Sequence, residues 1–162
     1  MKTLAIAALI SALSAGAALA APAGGVHVTL SPRLQARAHD LGQRDLNQLQ
    51  AELQRTVERQ LARRPIGEGV RLDLVITDAT PNRPTFQQMS NTPGLSYESF
   101  GLGGATIDGV ITGADGATAP VHYRWYESDI RQTRFNGTWE DAERAFGFFA
   151  DHLGRGEAVA AR

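Results

Sequence analysis

Between residues 46 and 78 the chain changes its hydrophobic period, and that change limits the folds open to it. Leu46, Leu49, Leu53, Val57 and Leu61 recur every three or four residues, while Arg44, Glu52, Arg55, Glu58 and Arg59 fill the positions between, so one stripe is apolar and the rest faces water. Arg63 and Arg64 suit the negative end of such a helix, and Pro65 stops it. From Val70 to Asp78 the period drops to two, with Val70, Leu72, Leu74 and Ile76 on one face and Arg71, Asp73 and Thr77 on the other. A helix that must bury a stripe, followed by a strand that must bury a face, predicts helices layered on a sheet.

The remaining segments extend the pattern. Val26, Val28 and Leu30 alternate in a first strand, and Ser31-Pro32 opens a helical piece that Gly42 weakens. Residues 104–113 and 119–127 read as a hairpin turning at Asp115-Gly116, with Ala105, Ile107 and Ile111 facing Val121, Tyr123 and Trp125. A last helix is predicted over 138–153, capped by Thr138, stopped by Gly154, and apolar along Trp139, Ala142, Phe146, Phe149 and Leu153. The order β-α-β-β-β-α predicts an α+β two-layer sandwich: a mainly antiparallel sheet of about four strands, two helices on one face, the other face open. It occupies 26–153 as a single domain, after a flexible lead-in over 21–25 and before a flexible tail over 154–162.

The first 20 residues read as a signal peptide. Lys2 supplies the charge, Leu4 to Ala17 the uncharged apolar stretch, and Ala18-Leu19-Ala20 the small-x-small pattern that places cleavage after Ala20. This stretch is shorter than the roughly 20 residues that span a bilayer, and no later run approaches that length. A periplasmic or secreted protein without a membrane span is therefore expected. Lys2 is the chain's only lysine, so residues 21–162 carry 15 Arg against 17 Asp and Glu, a net charge of −2. Such a balance exerts no long-range pull on nucleic acid. The absence of cysteine excludes disulfides, thiol catalysis and lipid attachment through an N-terminal cysteine.

Two surfaces are candidate sites. Residues 79–100 form a long connection stiffened by Pro81, Pro84 and Pro93, where Arg83 and the neighbouring amides suit a polar partner and Phe86 and Met89 an apolar one. Loops of this kind also serve simply to cover sheet edges. The open sheet face should gather Arg71, Asp73, Thr106, Asp108, His122, Arg124 and Tyr126, either as an anion or proton-transfer site or as ordinary cross-strand pairing on a wet surface. Glu98, Asp108 and Glu127 could converge as catalytic carboxylates. Gly94-Leu95-Ser96-Tyr97-Glu98 lacks the second glycine of a nucleophile elbow, and Gly101-Leu102-Gly103-Gly104 precedes a strand where a phosphate loop precedes a helix. His27, His39, His122 and His152 have no ligand-like spacing, so no metal and no cofactor is expected. Asn136-Gly137-Thr138 matches a glycosylation acceptor formally but reads better as a turn feeding a helix cap.

Leu72-Asp73-Leu74-Val75-Ile76-Thr77-Asp78, Gly103-Gly104-Ala105, Asp115-Gly116 and Thr138-Trp139-Glu140-Asp141-Ala142 together resemble the layout of small envelope proteins and lipoproteins of Gram-negative bacteria, over most of 26–153. The resemblance implies a periplasmic accessory role and brings no catalytic residue with it. Relatives of that kind often bear a lipid on a cysteine that this chain lacks. The expected function is thus a non-enzymatic binding module meeting another envelope component, through the loop or the open sheet face. The alternative is a small envelope hydrolase with an acid/base site around Asp108, His122 and Glu127.

Overall fold

The computed structural model describes residues 24–157. The expected signal peptide over 1–20, most of the lead-in and tail residues 158–162 lie outside the described residues.

Four strands form one sheet in the order β1 (Gly25–Leu30), β2 (Arg71–Thr80), β3 (Gly104–Thr112), β4 (Thr118–Tyr126). β1 runs parallel to β2, and the β2–β3 and β3–β4 pairings are antiparallel. The parallel pair follows from the helical crossover joining β1 to β2, since only a long connection can return the chain to the same end of a sheet. Three helices make up that crossover: α1 (Pro32–Gln35), α2 (Ala38–Leu41) and α3 (Gln43–Arg63). Ser31 caps α1 through its side chain, as its place before Pro32 suggested. Gly42, at φ +92°, makes the break between α2 and α3.

Helix α3 and the closing helix α5 (Glu140–Gly154) pack on one face of the sheet, giving the expected α+β two-layer arrangement. Val28, Leu46, Leu49, Leu53, Val57, Leu72, Leu74, Ile76, Ile107, Phe146 and Phe149 are each 0–1% exposed and form the centre of the core. These are the residues that the two periods select. At the ends of the sheet, Gln50 on α3 donates to the Val28 carbonyl of β1 at 2.8 Å, and Pro120 lies in the outer strand β4.

Two local expectations are corrected. Thr138 does not cap α5: the residue before the helix is Trp139, without a side-chain cap, and the Asn82 side chain accepts the Asp141 N–H instead. Gly154 is helical, and the left-handed glycine is Gly156, at φ +66°. The part of the tail that is described is bonded, Glu157 accepting from Arg155 Nε at 2.8 Å and pairing with His152 Nδ1 at 2.5 Å. In β2 a bulge between Ile76 and Asp78 adds a residue, so Ala79 turns inward and Asp78 outward, opposite Thr106.

Candidate functional site

The long connection after β2 is not a plain loop. It contains α4 (Phe86–Asn91), opened by a capping box in which the Thr85 hydroxyl accepts the Gln88 N–H and the Gln88 side chain accepts the Thr85 N–H, both at 3.1 Å. The Thr-x-x-Gln spacing was the signal for it, and it lay within the candidate loop.

A buried polar knot fastens this segment to the start of α5. Asp141, 0% exposed, accepts from the side chains of Asn82 and Asn136 and from the Gly103 N–H. Arg144 lies 3.5 Å from the same carboxylate. Asn82 also bonds outward through its backbone, its N–H donating to Thr138 O at 2.7 Å and its carbonyl accepting from Gly101 N at 2.8 Å. A buried carboxylate is tolerable only when its oxygens are satisfied in this way. Gly103 sits close enough that a Cβ there would approach the Asn82 amide within 2.7 Å, so the tight turn into β3 is part of the knot. Sequence reasoning did not single out Asn82, Asn136 or Asp141 as a group, because 59 residues separate the first from the last.

Arg83, expected to meet a partner, spends its guanidinium on carbonyls of its own chain. Nε donates to Asn136 O at 2.7 Å, Nη1 to Tyr97 O and Nη2 to Arg134 O at 2.6 Å each, and the group lies 5.0 Å from the Tyr97 ring centroid. Phe135 therefore projects from between two carbonyls that Arg83 holds, and it is 89% exposed. Phe86, at the first turn of α4, is 80% exposed. Between α4 and the N-terminal turn of α3 runs a cleft of about 440 Å³ lined by Arg44, Gln48, Phe86, Gln87, Met89 and Tyr97 among others. Asp45 in its wall is engaged by the Trp139 indole N–H at 2.8 Å. A second cleft, of about 340 Å³ and more apolar, lies at the opposite end among Ile66, Val70, Ile111, Val121 and Leu153.

On the open sheet face the anticipated residues do share a side, as a set of local pairs. Arg71 Nε donates to Asp73 at 2.7 Å, and His122 Nδ1 lies 2.5 Å from Asp108 Oδ1 across the β3–β4 ladder. Tyr126 donates to Asp78 at 2.8 Å, with Arg124 stacked 4.6 Å from its ring centroid and Arg37 reaching the other Asp78 oxygen at 3.3 Å. Burial, opposed by the Thr106 hydrogen bond and reinforced by the Asp78 carboxylate, raises the Tyr126 pKa above the usual tyrosine value. Glu127 does not join Asp108 and His122. Its carboxylate accepts the Ser128 and Asp129 N–H groups, and it lies five residues past His122, about 16 Å along the strand direction. Glu98 is exposed on the loop beside Tyr97. The three carboxylates that could have converged make no contact with one another.

Among the described residues no group of three or more His, Asp or Glu side chains could hold a metal ion, and no helix is long and apolar enough to cross a membrane. Asn136 is 5% exposed with its amide engaged by Asp141, so it is closed to a glycosylating enzyme in this fold. Comparison with protein-family models, with curated proteins and with solved structures gives no match.

Proposed function

We propose that this chain is an exported, non-catalytic binding module of the cell envelope whose recognition end is the cleft between α3 and α4 with the aromatic side chains around it. One observation carries the reading. Phe86, in the wall of the cleft, and Phe135, on the separate connection between β4 and α5, stand 80% and 89% exposed, and Arg83 with the Asn82–Asp141 knot ties the two connections together. Exposed aromatic side chains beside a cleft supply the kind of anchor that dominates protein interfaces, and anchors on a fixed backbone lose little conformational freedom on binding. Gln48, Gln87 and Arg44 add polar groups that orient a partner. The test is capture from envelope extract with the wild type and a Phe86→Ala, Phe135→Ala double variant. A partner held by the first and lost by the second is expected, and identical sets with both would sink the reading. Both side chains face solvent, so the double variant should stay folded. Export is checked by N-terminal sequencing of the secreted form, with a start at Ala21 expected and a start at Met1 refuting it.

The hydrolase alternative has one observation in its favour, the 2.5 Å Asp108–His122 contact, which is the arrangement that orients a catalytic imidazole. It requires a His122→Ala variant to lose an ester-hydrolysing activity that the wild type possesses. A wild type inert toward ester substrates ends it.

A further inference from the structure

Asn136-Gly137 is the only Asn-Gly dipeptide in the chain, and its peptide unit is clamped from both sides. The Asn136 carbonyl accepts from Arg83 Nε at 2.7 Å, while the Gly137 N–H donates to Glu140 Oε2 at 3.0 Å. The Asn136 side chain is fixed separately, Nδ2 donating to Asp141 Oδ1 at 2.9 Å. An asparagine followed by glycine is among the most labile pairs in a polypeptide, because no side chain shields the glycine nitrogen and its backbone rotates freely.

We propose that Asn136 is a conditional self-modification site, closed to reaction while these three bonds hold and converted to aspartate or isoaspartate once they are released. In the reaction the Gly137 nitrogen attacks Asn136 Cγ. The N–Cγ bond forms, the Cγ–Nδ2 bond breaks, and the Gly137 proton leaves with the amide nitrogen as ammonia. Solvent water then opens the cyclic imide at either carbonyl, giving aspartate or isoaspartate. Ring closure requires the side chain to abandon Asp141 and the peptide unit to turn away from Arg83 and Glu140. The native contacts therefore restrain each movement that the chemistry needs.

The change is also one that the fold cannot absorb. A carboxylate at position 136 would face Asp141, which is 0% exposed, across a contact of 2.9 Å, and two carboxylates at that distance cannot both remain ionised. Isoaspartate additionally inserts a carbon into the main chain at the Arg83 clamp. A chain that reacts while the knot is open cannot close it again in the same form, so the dipeptide keeps a permanent record of each opening.

Peptide mass spectrometry on the intact chain tests this, following the mass increase of an amide-to-acid exchange at Asn136 in buffer and in urea. Conversion should be more than about tenfold slower in the folded protein, because hydrogen bonds to charged partners must be broken first. A Glu140→Ala variant, altered at a side chain 41% exposed, should convert several-fold faster than the wild type in buffer. Equal rates in buffer and urea, or a Glu140→Ala rate at or below the wild type, would overturn the proposal. An Asn136→Asp variant reads out the consequence independently. Faster amide exchange over residues 82–101, or loss of folding altogether, supports it, and unchanged exchange there would refute it.

Discussion

The loop end of the molecule and the open face of its sheet draw on the same side chains, Arg, Asp, Tyr and a polar partner, and use them in opposite ways. At the loop end one buried carboxylate and one guanidinium each bond to several groups distant in sequence, many of them backbone atoms. On the sheet face Arg71 meets Asp73 two residues away and His122 meets Asp108 across one ladder, all with part of the side chain in water, and only the Asp78 contacts to Tyr126 and Arg37 span further. The first arrangement decides where the chain goes. The second decorates a surface whose path the core has already set. Residue type therefore says little about role here; burial and the span of the contact say more.

The comparison breaks most visibly at Asp141. An Asp141→Ala variant leaves Asn82, Asn136 and the Gly103 N–H without their shared acceptor, and a loss of about 3–5 kcal/mol is expected in urea denaturation. Arg83→Ala should cost about 2–3 kcal/mol, with faster amide exchange over 83–101 while β2 and β3 keep their protection. On the sheet face Asp73→Ala should change stability by no more than about 0.5 kcal/mol, an effect that salt erases. A large loss there would make the two regions equivalent and defeat the distinction.

A pH slope sharpens it. Burial holds the Tyr126 phenol protonated beyond its usual range, with Asp78 adding to the shift. As pH rises past about 10 the unfolded chain releases this proton first, so the folded state binds more protons and stability falls with pH. Below that range the group contributes no slope. Tyr126→Phe should therefore flatten the alkaline loss of stability in a series of urea midpoints, on top of a uniform loss of about 1 kcal/mol at neutral pH from its missing hydrogen bond to Asp78.

The layers were legible because burial of whole elements repeats along the sequence. The stripe from Leu46 to Val57 and the alternation from Leu72 to Ile76 are local, and the structure buries those same residues. What escaped was non-periodic. One added residue after Ile76 turned Asp78 outward and made it the partner of Tyr126, where counting in twos from Ile76 would point it inward. Thr138 had the chemistry of a cap, yet the N–H at Asp141 is met by Asn82 from the far end of a long connection. Of the candidate residues, Arg71, Asp108, His122, Arg124 and Tyr126 could be placed on one face by counting in twos. Arg83 could not be separated from a surface arginine, since nothing nearby in sequence marks the three carbonyls it holds.

The Gln50 contact to β1 has a consequence for the protein in company. The outer margins of a β-sheet normally present vacant donors and acceptors on which another polypeptide can build. Here a helix side chain occupies one such acceptor on the first strand, and on the last strand Pro120 has no hydrogen to offer. Both borders are thus poor templates, which helps keep neighbouring copies from stitching their sheets together when the protein is crowded.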